Sequence, residues 1–462
     1  MTYLIGGLAF IFILGAAVVI HEFGHFIVAK LLKIRVETFS VGFGPRLFGK
    51  RWGHTDYRVS AIPLGGYVKL GGDESNAAIE GAGESDIPPE EQFSLRPRYQ
   101  RIMVAVAGPV MNILTALMIP FVGAMTSGVP VMPAPIISHV KAGGAAETAG
   151  IQPGDRIVAF DGAENPTWER ISDDAMLSPD HEIPIIVERN GQHIPLKVKP
   201  TKITSEGHEL GQLDMEPDYG ALPVIVGSVN ENSPAAETGL KPGDRVVAID
   251  GEVIHNVNEV TEYVTLHRDQ PIHFKVERGG QTLELTTPER RLADGKLGFG
   301  FSKGPQEAVG PVVAIKYAVN SNIEILRLTG KALGQAFTGQ RSLRDTLSGP
   351  IGIASESSKA ANEYGWEGVF FMLSFMSLNL GIFNLLPIPV LDGGAIFILL
   401  LEAALGMAGL ALSMTVRERI QQIGFVVLLL LMVFVITNDI IKQASVHFGS
   451  KNDQPAANAP QK

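Results

Sequence analysis

Two histidines and a glutamate fall within five consecutive residues, His21-Glu22-Phe23-Gly24-His25, just past a stretch with no charged side chain from Leu4 to Ile20. On a helix, residues four apart stack on one face, so both imidazoles can reach one metal ion. The carboxylate beside the first of them can then take a proton from a water held there. A bare pattern of this kind arises by chance in roughly one protein in a hundred of this length. Three ionisable groups in one turn of a membrane helix are a much sharper signal, because each is costly there and by default functional. The alternative is a hydrogen-bonded polar patch that glues helices together.

A catalytic zinc site usually takes three protein ligands and a water, so a third ligand must come from elsewhere. The chain has no cysteine, which excludes disulfide staples, thiolate metal clusters and thiol catalysis. The clear intramembrane carboxylate is Asp392, in Asn384-Leu385-Leu386-Pro387-Ile388-Pro389-Val390-Leu391-Asp392-Gly393-Gly394. Glu402 and Asp439 are weaker candidates near span ends. Two prolines and two glycines must break a helix here and free backbone groups, which is tolerated at that depth only where the segment lines a protein cavity. A simple kink with a snorkelling Asp392 is the other reading.

The elements that must carry these residues are membrane spans. Of the 462 residues, 45% are hydrophobic and only 19% charged, against about 25% charged in an average soluble protein. The net charge of 38 − 48 = −10 argues against nucleic acid as a partner. Leu4–Ile20 (resuming at Phe26–Ala29), Ile102–Met125, Gly368–Leu391 and Ile423–Thr437 are uncharged blocks, each approaching the ~20 residues that cross a bilayer core. The first has no basic leader, so it reads as a span rather than a cleaved signal peptide. Eleven Lys or Arg lie between Lys30 and Arg101 and none precedes the first block. The positive-inside rule therefore puts the N-terminus outside, residues 33–100 inside and 127–365 outside. Both His21 and Asp392 then lie toward the cytosolic leaflet.

Outside the membrane the chain repeats itself. Gly150-Ile151-Gln152-Pro153-Gly154-Asp155-Arg156-Ile157-Val158-Ala159-Phe160-Asp161-Gly162 returns 89 residues later as Gly239-Leu240-Lys241-Pro242-Gly243-Asp244-Arg245-Val246-Val247-Ala248-Ile249-Asp250-Gly251, a period suited to two small tandem domains. Pro-Gly-Asp reads as a turn, the apolar run as a strand and Asp-Gly as a hairpin. The pattern resembles PDZ domains of the bacterial protease-associated type over about residues 128–305. Such domains bind peptides by strand addition, with backbone amides taking a terminal carboxylate; the alternative is a pair of spacers with blocked grooves.

Taken together, these motifs resemble the site-2 intramembrane metalloproteases. Gly42-Phe43-Gly44-Pro45, Ile62-Pro63-Leu64-Gly65-Gly66-Tyr67-Val68-Lys69 and Ser348-Gly349-Pro350-Ile351-Gly352 carry the resemblance over nearly the whole chain. It implies a polytopic α-helical membrane protein with four transmembrane helices, a membrane-associated β-hairpin and two tandem extracytoplasmic PDZ domains of α+β type. It implies one zinc ion per chain on His21, His25 and Asp392, Glu22 as general base, and Asn379 and Asn384 near the substrate backbone. The implied substrates are single-span membrane proteins already trimmed on the outer side, notably an anti-sigma factor, and signal-peptide remnants. The implied location is the bacterial inner membrane, with the PDZ pair in the periplasm. The organisation reads as a first span over 1–33, a cytosolic or re-entrant β region over 34–100, and a second span over 101–126. PDZ-like domains over 127–218 and 219–305 and an amphipathic linker over 306–365 follow. A third span over 366–402, a cytosolic connection over 403–419, a fourth span over 420–442 and a disordered tail over 443–462 complete it.

A peptide bond inside a transmembrane helix is shielded, and unwinding it in lipid costs several kcal/mol for each backbone group left without a partner. Tyr57–Ile62 and Tyr67–Leu70 read as two short strands around Pro63-Leu64-Gly65-Gly66. This hairpin is expected to dip into the membrane and pair with extended substrate through Gly65, Gly66, Tyr67 and Val68; a cytosolic hairpin with no substrate role is the alternative. Asn379 and Asn384 can hydrogen-bond a displaced backbone or merely satisfy the broken helix around Pro387. The apolar series in Val312–Gly339 suits an amphipathic helix on the outer leaflet or an ordinary packed linker. The PDZ pair, by its bulk, is expected to exclude substrates with a large outer domain. Among rivals, an aspartyl protease needs a second facing carboxylate, and Ser374 and Ser377 have no histidine in their span. A metal transporter leaves the PDZ copies unexplained, and a peptide-binding adaptor with a structural zinc site does not need Glu22.

Overall fold

The computed structural model describes residues 2–73, 86–205, 208–218, 223–230, 233–267, 270–289, 292, 297–301, 306–407, 409–410 and 413–449. The chain divides into two compact units, Met1–Thr126 with Gly310–Lys462, and Ser127–Val309. Of the expected disordered tail over 443–462, residues 443–449 instead continue the last helix, and 450–462 lie outside the described residues.

In the first unit the apolar blocks form helix α1 (Thr2–Leu31), the antiparallel strands β1 (Val36–Trp52) and β2 (Thr55–Leu70), helix α2 (Arg98–Ser127), and helices α3 (Pro311–Phe337), α4 (Pro350–Asn384), α5 (Asp392–Met407) and α6 (Met414–Gly449). Among the described residues, four stretches are long and apolar enough to cross a membrane: Leu4–Leu31, Arg98–Ser127, Pro350–Asn384 and Thr415–Lys442. The short apolar block near the C-terminus thus belongs to a full-length helix. α2 carries Pro109 and Pro120 in its interior. Pro120 has no N–H to offer the carbonyl four residues back, and that carbonyl, of Ala116, accepts instead from Asn322 Nδ2 on α3 and Ser374 Oγ on α4, both at 3.0 Å. The lost helix bond becomes a three-helix junction.

α3 lies against α2 through small buried residues four apart, Ala314, Ala318 and Asn322, while Val312, Val313, Ile315 and Ile323 are exposed. α4 holds two helical stretches that meet at Gly365, where the backbone is non-helical (φ 59°, ψ −140°). The helix ends at Asn384; Leu385 to Leu391 is a break, and a new helix starts at Asp392, within the range expected for one continuous third span.

The expected hairpin of Tyr57–Ile62 with Tyr67–Leu70 does not form. Phe39 on β1 pairs with Tyr57 on one side and Val68 on the other, and Ser40 likewise with Arg58 and Tyr67. The first part of β1 therefore runs between the two halves of β2, and its second part pairs back outside, Phe48 with Val59 and Trp52 with Thr55. Two long strands thus fold into four segments, in which 38–41 runs parallel to 56–59 and antiparallel to 66–69. The reason is register: the polar and apolar sets of 57–59 and 66–68 both find their partners on 39–41, and Gly66 lets the Ser40 carbonyl approach to where a Cβ would lie only 2.4 Å away. Phe39 and Tyr57 pack against Phe26 of α1 in tilted and edge-to-face contacts, with ring centroids 5.1 and 5.9 Å apart.

Among its described residues the second unit holds two six-stranded sheets with separate apolar cores, besides two short two-stranded pairs. One has strand order Met215–Asp218, Ala134–Val140, Arg156–Phe160, Ile183–Arg189, Gln192–Val198, with Phe160 and Ile171 in its core. The other has order Gln281–Thr286, His273–Arg278, Arg245–Ile249, Val224–Val229, Phe299–Phe301, with Phe274 and Ile249 in its core. The repeated aspartates do the same work twice. Asp155 accepts from the Gln152 amide at 2.9 Å and Arg189 Nε at 2.7 Å; Asp244 accepts from the Lys241 amide at 2.9 Å and Arg278 Nε at 2.6 Å. Burial alone would push both carboxyls up, but these arginine and amide hydrogen bonds prevail and hold them below the usual carboxylate range.

Candidate active site

His21 and His25 lie on α1, one turn apart, and their Nε2 atoms are 3.2 Å from each other. Asp392, the first residue of α5, brings Oδ2 to 2.9 Å from His21 Nε2 and 3.5 Å from His25 Nε2. Among the described residues these three form the one cluster of histidine and acidic groups able to share a metal ion. The weaker carboxylate candidates have other partners. Glu402 pairs with Arg417 at 3.6 Å. Asp439 is buried and accepts from the amides of Gly349, Ile351 and Gly352 at 3.0, 3.0 and 2.9 Å, capping the start of α4. That contact accounts for the Ser348-Gly349-Pro350-Ile351-Gly352 motif, since a Cβ on Gly349 would stand 2.8 Å from Asp439 Oδ2.

The broken segment sets Asp392. Its backbone is closed by tight turns, Ile388 N to Leu386 O at 2.7 Å and Leu391 N to Ile388 O at 3.2 Å. Both glycines after Asp392 are required by contact: a Cβ on Gly393 would lie 2.3 Å from the Leu386 carbonyl, and one on Gly394 2.2 Å from that of Ile388. Val390 is held at φ 84°, a strained conformation for a β-branched residue and of the kind found at functional sites. An N-terminal helix position also favours the Asp392 carboxylate electrostatically.

The expected substrate-contacting residues divide. Asn384 Nδ2 is 3.4 Å from His21 Nε2 and so faces the cluster. Asn379 donates back to the Phe375 carbonyl of its own helix at 2.9 Å. β2 runs beside α1 toward the cluster. Gly15 leaves room for the Pro63 carbonyl, Gly65 approaches Val18, and Gly66 approaches Val19. One turn further the Val68 amide hydrogen-bonds the Glu22 carboxylate. Tyr67 and Val68 are buried.

Three residues of α2 complete the surroundings and were not singled out from the sequence. Val104 offers its carbonyl to His25 Nδ1 at 2.7 Å, Asn112 stands 3.3 Å from His21 Nδ1, and Gly108 lies between. The available signal was an asparagine inside an uncharged span, a neutral amide that costs less than a charge there but still needs a partner.

The sequence profile of Peptidase family M50 matches residues 9–431. The chain belongs to peptidase family M50. Regulator of sigma-E protease RseP of Salmonella typhimurium is 32% identical over 93% of the chain and 97% of its own length. The Escherichia coli protein of that name is 32% identical over the same shares. A Pasteurella multocida protein whose name places it among zinc metalloproteases is 33% identical over 96% of the chain and all of its own length. This M50 peptidase is a zinc metalloendopeptidase of the site-2 protease type, a membrane protein whose cofactor is zinc.

The cluster fits that ion. Tetrahedral ligands about 2.0–2.1 Å from zinc stand about 3.3 Å apart, and the three donor atoms here are separated by 2.9, 3.2 and 3.5 Å. Gly108 marks a matching cradle: a Cβ there would fall 2.4 Å from His25 Nε2 and 2.8 Å from His21 Nε2, in space that only a residue without a side chain leaves open.

Proposed function

We propose that this M50 peptidase hydrolyses a peptide bond within or near the transmembrane segment of single-span membrane proteins, with His21, His25 and Asp392 holding the zinc ion and Glu22 as general base. The observation that carries the reading is the convergence of three donor atoms at tetrahedral spacing from two apolar helices, with Glu22 adjoining. When bound, zinc supplies Lewis acidity and a water of lowered pKa. Glu22 takes the proton of the attacking water and delivers it to the leaving nitrogen. The Val68 amide orients the Glu22 carboxylate. Asn384 offers its amide to the displaced substrate backbone, and Asn379 belongs to helix satisfaction.

Extended substrate is held by Gly65, Gly66, Tyr67 and Val68. Support comes from the end segment of β2, which pairs with β1 on one side and, among the described residues, with no strand on the other. Strand addition there would give an unwound peptide the partners that lipid denies it.

The two sheets of Ser127–Val309 act as PDZ domains. Each ends in a short strand, Met215–Asp218 or Phe299–Phe301, that among the described residues pairs with one strand only, and a sheet edge of this kind suits a peptide terminus. Together they filter substrates by size. The substrates are anti-sigma-factor-type proteins already cut on the outer side, a reading supported by relatives named for sigma-E regulation, together with signal-peptide remnants. The protein sits in the bacterial inner membrane with residues 127–309 in the periplasm and the site toward the cytosol.

Zinc content and cleavage of a membrane substrate, compared between wild type and Glu22→Gln, test the core of this reading. Zinc retained with cleavage lost is expected; cleavage retained would refute it. For the filter, a folded domain fused to the outer end of the substrate should block cleavage. Equal turnover of long and short substrates by the intact enzyme would remove that role.

A further inference from the structure

We propose that Asn112 is the positioning residue that fixes the tautomer of His21. The inference rests on the reading above, in which His21 presents Nε2 to the metal. Asn112 is completely buried on an apolar helix. Its Nδ2 lies 3.3 Å from His21 Nδ1, and its Oδ1 has no hydrogen-bond partner among the described residues. A buried amide satisfied at only one end is disfavoured unless that one contact has a use.

Imidazole chemistry supplies the use. A neutral imidazole carries one proton. With the Nε2 lone pair turned toward Asp392 and His25, the proton must sit on Nδ1, and an N–H in a dry site needs an acceptor. An amide NH2 facing that N–H would set donor against donor. Either amide orientation leaves one end without a protein partner, so the proton on Nδ1 decides, and Oδ1 turns to accept it.

His25 has the corresponding arrangement from the backbone, with Nδ1 2.7 Å from the Val104 carbonyl. Val104, Gly108 and Asn112 are all buried and follow one another at four-residue intervals, so they form a single stripe down α2. The two outer members hold the Nδ1 atoms; the middle one leaves room for what the Nε2 atoms share. α2 thus contributes no ligand yet decides which nitrogen of each ligand is free. Outer partners of this kind commonly matter by about 10- to 100-fold in metal affinity.

The experiment measures zinc dissociation constants on the purified full-length protein by chelator competition, with thermal unfolding of the zinc-free form alongside. Asn112→Leu keeps the size and removes the acceptor; Asn112→Asp keeps an acceptor. Positioning predicts zinc binding weakened about 10- to 100-fold in Asn112→Leu and close to wild type in Asn112→Asp, with the zinc-free Leu variant as stable as wild type. A merely structural role predicts the reverse order, because leucine suits an apolar helix and a buried carboxylate does not. Wild-type zinc affinity in Asn112→Leu overturns the proposal. Should that variant not fold, Asn112→Ala takes its place under the same criterion. His21→Ala separates the two levels: if it leaves zinc binding intact, the metal reading itself fails; if it abolishes binding while Asn112→Leu does not, only the role of Asn112 fails.

Discussion

Adding one carbon at Gly108 should empty the metal site. The Cβ of Gly108→Ala would stand 2.4 Å from His25 Nε2 and 2.8 Å from His21 Nε2, whereas ordinary contact begins at 3.4 Å, so the shortfalls are 1.0 and 0.6 Å. The two nitrogens are 3.2 Å apart. Solving the triangles for an atom about 2.05 Å from both puts the new carbon within about 3.3 Å of zinc on whichever side the ion lies, and within about 1 Å on the nearer side. Coordination tolerates displacements of about 0.2 Å, so the imidazoles cannot yield by the required distance and still bind. Metal analysis of the purified protein should find Gly108→Ala well below one zinc per chain, with cleavage of a membrane substrate reduced to the level of Glu22→Gln. Gly123→Ala is the control, because it lies on the same helix with nothing within 4 Å of its added carbon; it should keep both zinc and turnover. Stoichiometric zinc with normal turnover in Gly108→Ala would refute the packing of α2 against the two histidines and the fit built on it.

Val68→Pro removes the amide that holds the Glu22 carboxylate and disrupts the β2 edge. Zinc content should stay at wild type while cleavage falls at least tenfold; unchanged turnover would exclude both roles of that strand. A pH effect belongs to the two sheets of residues 127–309. Asp155 and Asp244 are held below the ordinary carboxylate value in the folded state. Their contribution to stability is therefore complete above the unfolded value of about 3.9 and is lost as pH falls through the folded values. Acid-induced opening of this unit, followed by hydrogen exchange on the whole chain, should be less steep with pH in Asp155→Asn, which should also be less stable near neutrality. An identical pH profile in wild type and variant would dismiss the ion pair as a cause.

Local chemistry was legible because it is written at helical or turn spacing. His21 and His25 four apart, the prolines and glycines that end a helix before Asp392, and the repeated Pro-Gly-Asp turns each declare themselves within a dozen residues. The spans were equally plain, since an uncharged run near the length of a bilayer core has few other uses. The strand pairing around Phe39 was not legible. Alternation suits 57–62 and 67–70 to pairing with each other as well as with a third segment, and only the competition among registers, with Gly66 admitting the Ser40 carbonyl, decided for β1.

What the sequence by itself determined is the identity of the donors and the places where the chain must bend, because these follow from side-chain chemistry and backbone sterics over short distances. Only the tertiary structure decided that Asp392 meets the histidines while Glu402 and Asp439 pair elsewhere, that the Asn384 amide comes near His21 while that of Asn379 bonds its own helix, and that α2 supplies the floor through Val104, Gly108 and Asn112. Those outcomes depend on which faces of separate helices come together, and helix-to-helix packing is settled by close contacts between residues hundreds of positions apart.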